Sequence, residues 1–133
     1  MASLTTLTIN DRESTPVAHN FVPFDRKNGV AILREADSVS PLGDKYISLS
    51  TRTTGAKKRS RILVAVPIIS VETINAVDRP RLERTIYVEV LMTSDVSSTA
   101  QERDNAVAFA AGCLADGAAM CDDLLVNNNP VTG

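Results

Sequence analysis

Apolar residues in this chain recur with a period of two as far as Thr93 and with a period near 3.6 beyond it. That single switch puts strands first and helices last, which is α+β segregation rather than βαβ winding. The clearest strand is 82–93, with Ile86, Val88, Val90 and Met92 on one face and Thr85, Tyr87, Glu89 and Leu91 on the other. Upstream, 3–10 and 15–22 read as a hairpin, with Pro16 where no ladder donor is needed. Pro23 to Asn28 reads as a connector closed by the Asn28-Gly29 turn signal, and 30–36 as the next strand. Residues 45–53 and 59–67 form a further hairpin ended by Pro67. Residues 68–80 read either as a continued strand or as a long excursion, with Arg79-Pro80-Arg81 as a break. Downstream, Thr99 and Glu102 make a capping box for a helix reaching about Leu114. Asp116-Gly117 ends it, and a shorter helix over 118–126 stops at the Asn127–Pro130 tail. The expected architecture is one domain, 1–133, with an N-terminal β-hairpin (1–24), an antiparallel meander sheet (29–93) and two C-terminal helices (99–126). Two short helices cover one sheet face poorly. A dimer exchanging helices across a joint sheet would resolve that.

The hairpin at 45–65 carries six basic residues (Lys45, Arg52, Lys57, Lys58, Arg59 and Arg61) and no acid, in a chain of formal charge −2. Ile47, Leu49 and Thr51 alternate with Tyr46, Ser48, Ser50 and Arg52. Such a hairpin is either a surface that meets phosphate or a solvated edge whose charges block strand pairing. Residues 95–133 are the counterpart, with six acids and one base, Arg103.

Composition bounds the function. An apolar fraction of 44% supports a folded core, and with 4% aromatics and no Trp that core must be built from Val, Ile, Leu and Ala. No apolar run approaches the ~20 residues of a membrane span, and no secretory signal pattern opens the chain. Cys113 and Cys121 stand without a CxxC motif beside one histidine, His19, which argues against zinc. They read as buried reduced thiols ahead of a disulfide. His19 reads as a half-exposed strand residue. Asp122-Asp123 reads as a solvated acidic pair ahead of a cation site. No nucleophile, acid–base, P-loop or dinucleotide motif is present, so the reading is of a non-enzyme with no cofactor, no metal and no small-molecule substrate.

Nucleic acid suits the chain better. If the strands at 45–53, 59–67 and 82–93 are neighbours, their non-core faces share one surface: Tyr46, Ser48, Ser50 and Arg52; Arg59, Arg61, Leu63 and Ala65; Thr85, Tyr87 and Glu89. Arg neutralises phosphate, Tyr stacks on an unpaired base, and Ser or Glu reads base edges. The plainer readings are a packing role for Tyr87 and a cross-strand ion pair from Glu89 to Arg61.

In element order the chain resembles the coat proteins of single-stranded RNA bacteriophages, the levivirus type. The resemblance is carried by Asn28-Gly29-Val30-Ala31, the hairpin KKRSRILVAVP, the strand TIYVEVLMT, the TAQER helix start and the Ala- and Leu-rich terminal helices. It implies an interlocked homodimer with a joint ten-stranded sheet, assembling into an icosahedral shell, usually T=3. It also implies an inward sheet face that binds genomic RNA and, in several members, a translation-repressing hairpin at the replicase start. The implied location is the virion, assembled in the bacterial cytoplasm. By position, Tyr87 matches the family's base-stacking tyrosine and Glu89 its polar partner. Arg59, Arg61, Leu63 and Ala65 line the neighbouring strand and Tyr46, Ser48 and Ser50 the next, with Val30 and Lys45 peripheral. Leu63 and Ala65 depart from longer polar residues in relatives. The loop that switches conformation around the symmetry axes falls at about 68–80, without cysteines. A non-viral dimeric RNA-binding translational regulator on a similar sheet is the alternative.

Overall fold

The computed structural model describes residues 3–132; Met1, Ala2 and Gly133, at the ends of the expected domain, lie outside the described residues. The chain divides into two compact units, one up to Thr93 and one from Ser94 onward.

The first unit is an antiparallel meander in the order β1-β2-β3-β4-β5-β6. The strands are β1 (Leu7–Asn10), β2 (Ala18–Lys27), β3 (Val30–Glu35), β4 (Lys45–Thr54), β5 (Lys57–Ile74) and β6 (Val77–Asp95), the last of which runs into the second unit. Two-residue turns set the registers. Lys27 pairs with Val30 across Asn28 and Gly29, at φ +53° and +77°, the signs a type I′ turn requires. Thr54 pairs with Lys57 across Gly55 (φ +59°) and Ala56.

Three expectations are corrected. The segment from Pro23 is no connector: β2 continues through it to Lys27 and pairs with β3 past an irregularity between Pro23 and Asp25. Pro67 does not end its strand, and of the two readings of 68–80 the continued strand is the one seen, in place of the loop that the resemblance implied: β5 runs to Ile74, turns at Asn75-Ala76, and β6 begins at Val77 and passes through Pro80. The reason is positional. The pairing of β4 with β5 extends only as far as Ala65, so Pro67 lies beyond the part of β5 that β4 borders. β6 is the last strand of the order, so one of its edges meets no described strand. A strand tolerates proline where no ladder donor is demanded.

The core is small: Phe21, Leu33 and Ile47 are buried, with Leu4, Leu49 and Val64 packed against them. Further along that face burial fades, and Ile62, Ile86 and Val88 are exposed.

The second unit holds α1 (Ala100–Leu114) and α2 (Ala119–Leu125). The capping box forms as read: Thr99 Oγ1 accepts from Glu102 N, and Glu102 Oε2 accepts from Thr99 N. Neither helix contains a buried residue, and Phe109 is 75% exposed. The cysteines are accordingly not buried as expected: both are free, Cys113 exposed and Cys121 half-buried. A hydrogen bond with Cys113 leads the causes that push the Cys121 thiol above its ordinary value. Asp123 accepts from the side-chain amides of Asn129 (3.0 Å) first and Asn127 (3.1 Å) second, which hold its carboxyl below the usual range and tie the tail to α2.

Candidate nucleic-acid interface

Directly paired residues in a ladder point to the same side, so the registers assign the faces. Ser50 pairs with both Val30 and Arg61, Ser48 with Ile32 and Leu63, Tyr46 with Arg34 and Ala65, and Arg52 with Arg59. These residues therefore share the face opposite the Leu33–Ile47 core. Arg61 Nε donates to Glu89 Oε1 at 2.7 Å, which brings β6 to the same surface. The period of two along β6 sets Tyr87 and Thr85 beside Glu89.

An open cavity of about 410 Å³ lies on this face, lined by Arg52, Arg59 and Arg61 together with Val30, Ser50 and Leu91. Asn28, Gly29 and Thr51 complete its wall. Arg52 and Arg59 stand directly opposite one another, and like charges at paired positions destabilise a sheet. An anion between them removes that cost. Tyr87 is 61% exposed, so most of its ring is available for stacking rather than spent on packing. Thr85 is half-buried, as are Leu63, Tyr46, Ser48 and Ser50, while Ala65 is fully buried. The Glu89–Arg61 ion pair is the plainer reading of Glu89, and it is present in the free chain.

Lys45 does not join the others. It pairs with Glu35 on the core face, its Nζ 3.9 Å from Glu35 Oε1. The odd-numbered positions of β4 point away from the arginines, and a one-residue step reverses the face. Leu91 and the Asn28-Gly29 turn were not among the sequence candidates. The signal for the turn was the Asn-Gly pair itself, but only the pairing of Val30 with Ser50 sets it beside the arginines.

A second polar cluster occupies the core-face end of the sheet. His19 Nε2 lies 2.8 Å from Asp11 Oδ2 and Nδ1 2.7 Å from Glu35 Oε1. Neutral imidazole has one N–H and cannot donate to both carboxylates; the imidazolium can. Hydrogen bonds to Asp11 first and Glu35 second raise the His19 pKa. The Asp11 carboxyl is lowered, chiefly by the Val17 N–H and then by His19. With both ring nitrogens engaged by carboxylates, this cluster is a clasp between the β1–β2 turn and β3. Among the described residues, no group of His, Cys, Asp and Glu forms a metal site.

Comparison with known proteins agrees with this architecture. The family model described as levivirus coat protein matches residues 2–131. The chain is 35% identical over 127 residues to the capsid protein of Pseudomonas phage PRR1, covering 95% of this chain and 96% of that one. Among solved structures, the virus-like particle of bacteriophage ESE058 superposes with a TM-score of 0.87 at 17% identity, covering 98% and 100% of the two chains. The bacteriophage GA protein capsid does so with 0.78 at 22% identity, covering 95% and 96%.

Proposed function

The chain belongs to the levivirus coat protein family, and from that premise we propose that it assembles, as interlocked homodimers, into an icosahedral virion shell that packages single-stranded RNA on its arginine-bearing sheet face. The observation that carries the RNA part is the convergence of Arg52, Arg59 and Arg61 on one cavity on the face that also presents Tyr87. The cations supply affinity for phosphate, and the exposed ring supplies a stacking platform for an unpaired base. The dimer is supported by unfinished burial: α1 and α2 have no buried residue, while Ile62, Ile86 and Val88 leave an apolar sheet face open. Helices of one subunit over the sheet of its partner, with the two sheets joined into ten strands, cover both.

The shell is of T=3 type, with the helices outward and the sheet inward, assembled in the bacterial cytoplasm. In this reading 1–133 is a single coat-protein domain. Family membership favours this coat role over a non-viral regulator. Repression of replicase translation is part of the same proposal, with Tyr87 stacking on a hairpin-loop base, Glu89 beside it and Arg61, Arg59, Ser48, Ser50 and Val30 around it. The test is Tyr87→Ala. Removing one stacked base contact weakens binding of a specific RNA hairpin by about 1–3 kcal/mol, read by filter binding, while particles still form. A variant that fails to fold would make Tyr87 a packing residue and overturn the assignment.

A further inference from the structure

Asn28-Gly29 is the one Asn-Gly pair in the chain, and it forms the two-residue turn between β2 and β3. An asparagine loses its side-chain amide most easily before glycine, because no Cβ on the following residue hinders the approach of its backbone nitrogen to the asparagine Cγ. Every other asparagine in the chain precedes a residue that has a Cβ. The fold leaves the approach at Asn28 open. Both turn residues are exposed, and a Cβ added at Gly29 would meet nothing within 4 Å. The ladder closes at the pair of Lys27 and Val30, so Asn28 and Gly29 lie outside it.

The reaction needs only water. Gly29 N gives its proton to solvent and attacks Asn28 Cγ. The N–Cγ bond forms, the Cγ–Nδ2 bond breaks, and ammonia leaves with a proton from solvent. Water then opens the cyclic imide at either carbonyl, giving aspartate or, with the main chain rerouted through Cβ, isoaspartate. One amide and one water become one carboxylate and one ammonium, with no change in oxidation state.

Position gives the new charge a consequence. Asn28 and Gly29 wall the cavity that Arg52, Arg59 and Arg61 line. Val30, the next residue, pairs with Ser50, and Ser50 pairs with Arg61. A carboxylate in place of the neutral amide competes with phosphate for these cations. In the aspartate form it also eases the like-charge pairing of Arg52 with Arg59, and Asp-Gly suits the same turn. RNA affinity then falls without a loss of stability.

We propose that Asn28 is a deamidation site and that its conversion weakens the hold of the arginine face on RNA. The consequence, though not the reaction, rests on the RNA-binding reading of that face.

The test ages the purified protein in mildly alkaline buffer and follows each asparagine-containing peptide by mass spectrometry. The peptide holding Asn28 gains the mass of an amide becoming an acid before any other does. Short oligouridylate is then titrated across a salt series. Aged wild-type protein and fresh Asn28→Asp bind about two- to fivefold more weakly than fresh wild type. Their log K against log salt slope is shallower by about 0.7, one effective cation fewer on a single strand. Asn28→Gly keeps a turn that type I′ geometry favours and has no amide to lose, so it holds its affinity on ageing. The proposal is overturned if Asn28 keeps its amide while other asparagines convert, if aged Asn28→Gly weakens as much as aged wild type, or if Asn28→Asp, with unchanged melting, binds with wild-type affinity and slope. If fresh wild-type protein binds no RNA, the RNA-face reading itself falls and the proposed consequence with it, whatever the mass spectra show.

Discussion

His19 shows at the residue scale how geometry fixes a charge state. The carboxylates of Asp11 and Glu35 lie within hydrogen-bond reach of its two nitrogens, so the folded chain stabilises the imidazolium and raises its pKa above the usual value of about 6.5. Lys45 faces the same group through Glu35. A raised pKa contributes stability that is complete below the unfolded value and disappears as pH climbs through the folded one. Asp11 has the opposite sign: its lowered pKa contributes above the ordinary carboxylate value and is lost as acid protonates it. Melting temperature should therefore fall on the alkaline side of the raised His19 pKa, and His19→Gln should flatten that limb. The chain has one histidine, so a single imidazole NMR resonance reports the titration directly. A midpoint at or below the ordinary value would contradict the clasp. In sequence His19 read as a half-exposed strand histidine. That was right about burial and silent about Asp11 and Glu35, which arrive from a turn and another strand.

At the scale of elements, what is local was legible and what depends on neighbours was not. The capping box at Thr99 and Glu102 and the Asn28-Gly29 turn are written in adjacent residues, and both form. The reach of β5 past Pro67 was readable only as one of two alternatives and that of β6 through Pro80 not at all, because proline is excluded from a strand only where the neighbour needs its N–H. The candidate site divides in the same way. Period two put Tyr46, Ser48, Ser50 and Arg52 on one face, but the walls of the cavity and the departure of Lys45 follow from register. The corrected tip of β5 and β6 carries its own prediction. Ala76 sits at φ +61°, where a Cβ costs about 1–2 kcal/mol that glycine avoids. Ala76→Gly offsets part of this with its greater unfolded freedom and should stabilise the fold by about 0.5–1 kcal/mol in urea denaturation. A loss of stability of that size would mean that the turn is not held in the left-handed region.

For the whole molecule, the proposed dimer rests on apolar side chains left open in each of the two units. Ile86 is 53% exposed on the strand face opposite Tyr87, and Phe109 is 75% exposed on α1. Basic residues gather between Lys45 and Arg61, acids between Asp95 and Asp123. The shell proposed above, with the sheet inward and the helices outward, would put the cations against RNA and the acids toward solvent. Family membership makes the coat role plain, and the packing of RNA on the arginine face is the claim that most needs measurement. Electron microscopy of the purified recombinant protein, with nucleic acid extracted from the same particles, tests it most directly. The account predicts closed shells of uniform size containing host RNA. A soluble dimer that never assembles at any concentration or salt, or shells that form empty in the presence of RNA, would contradict it.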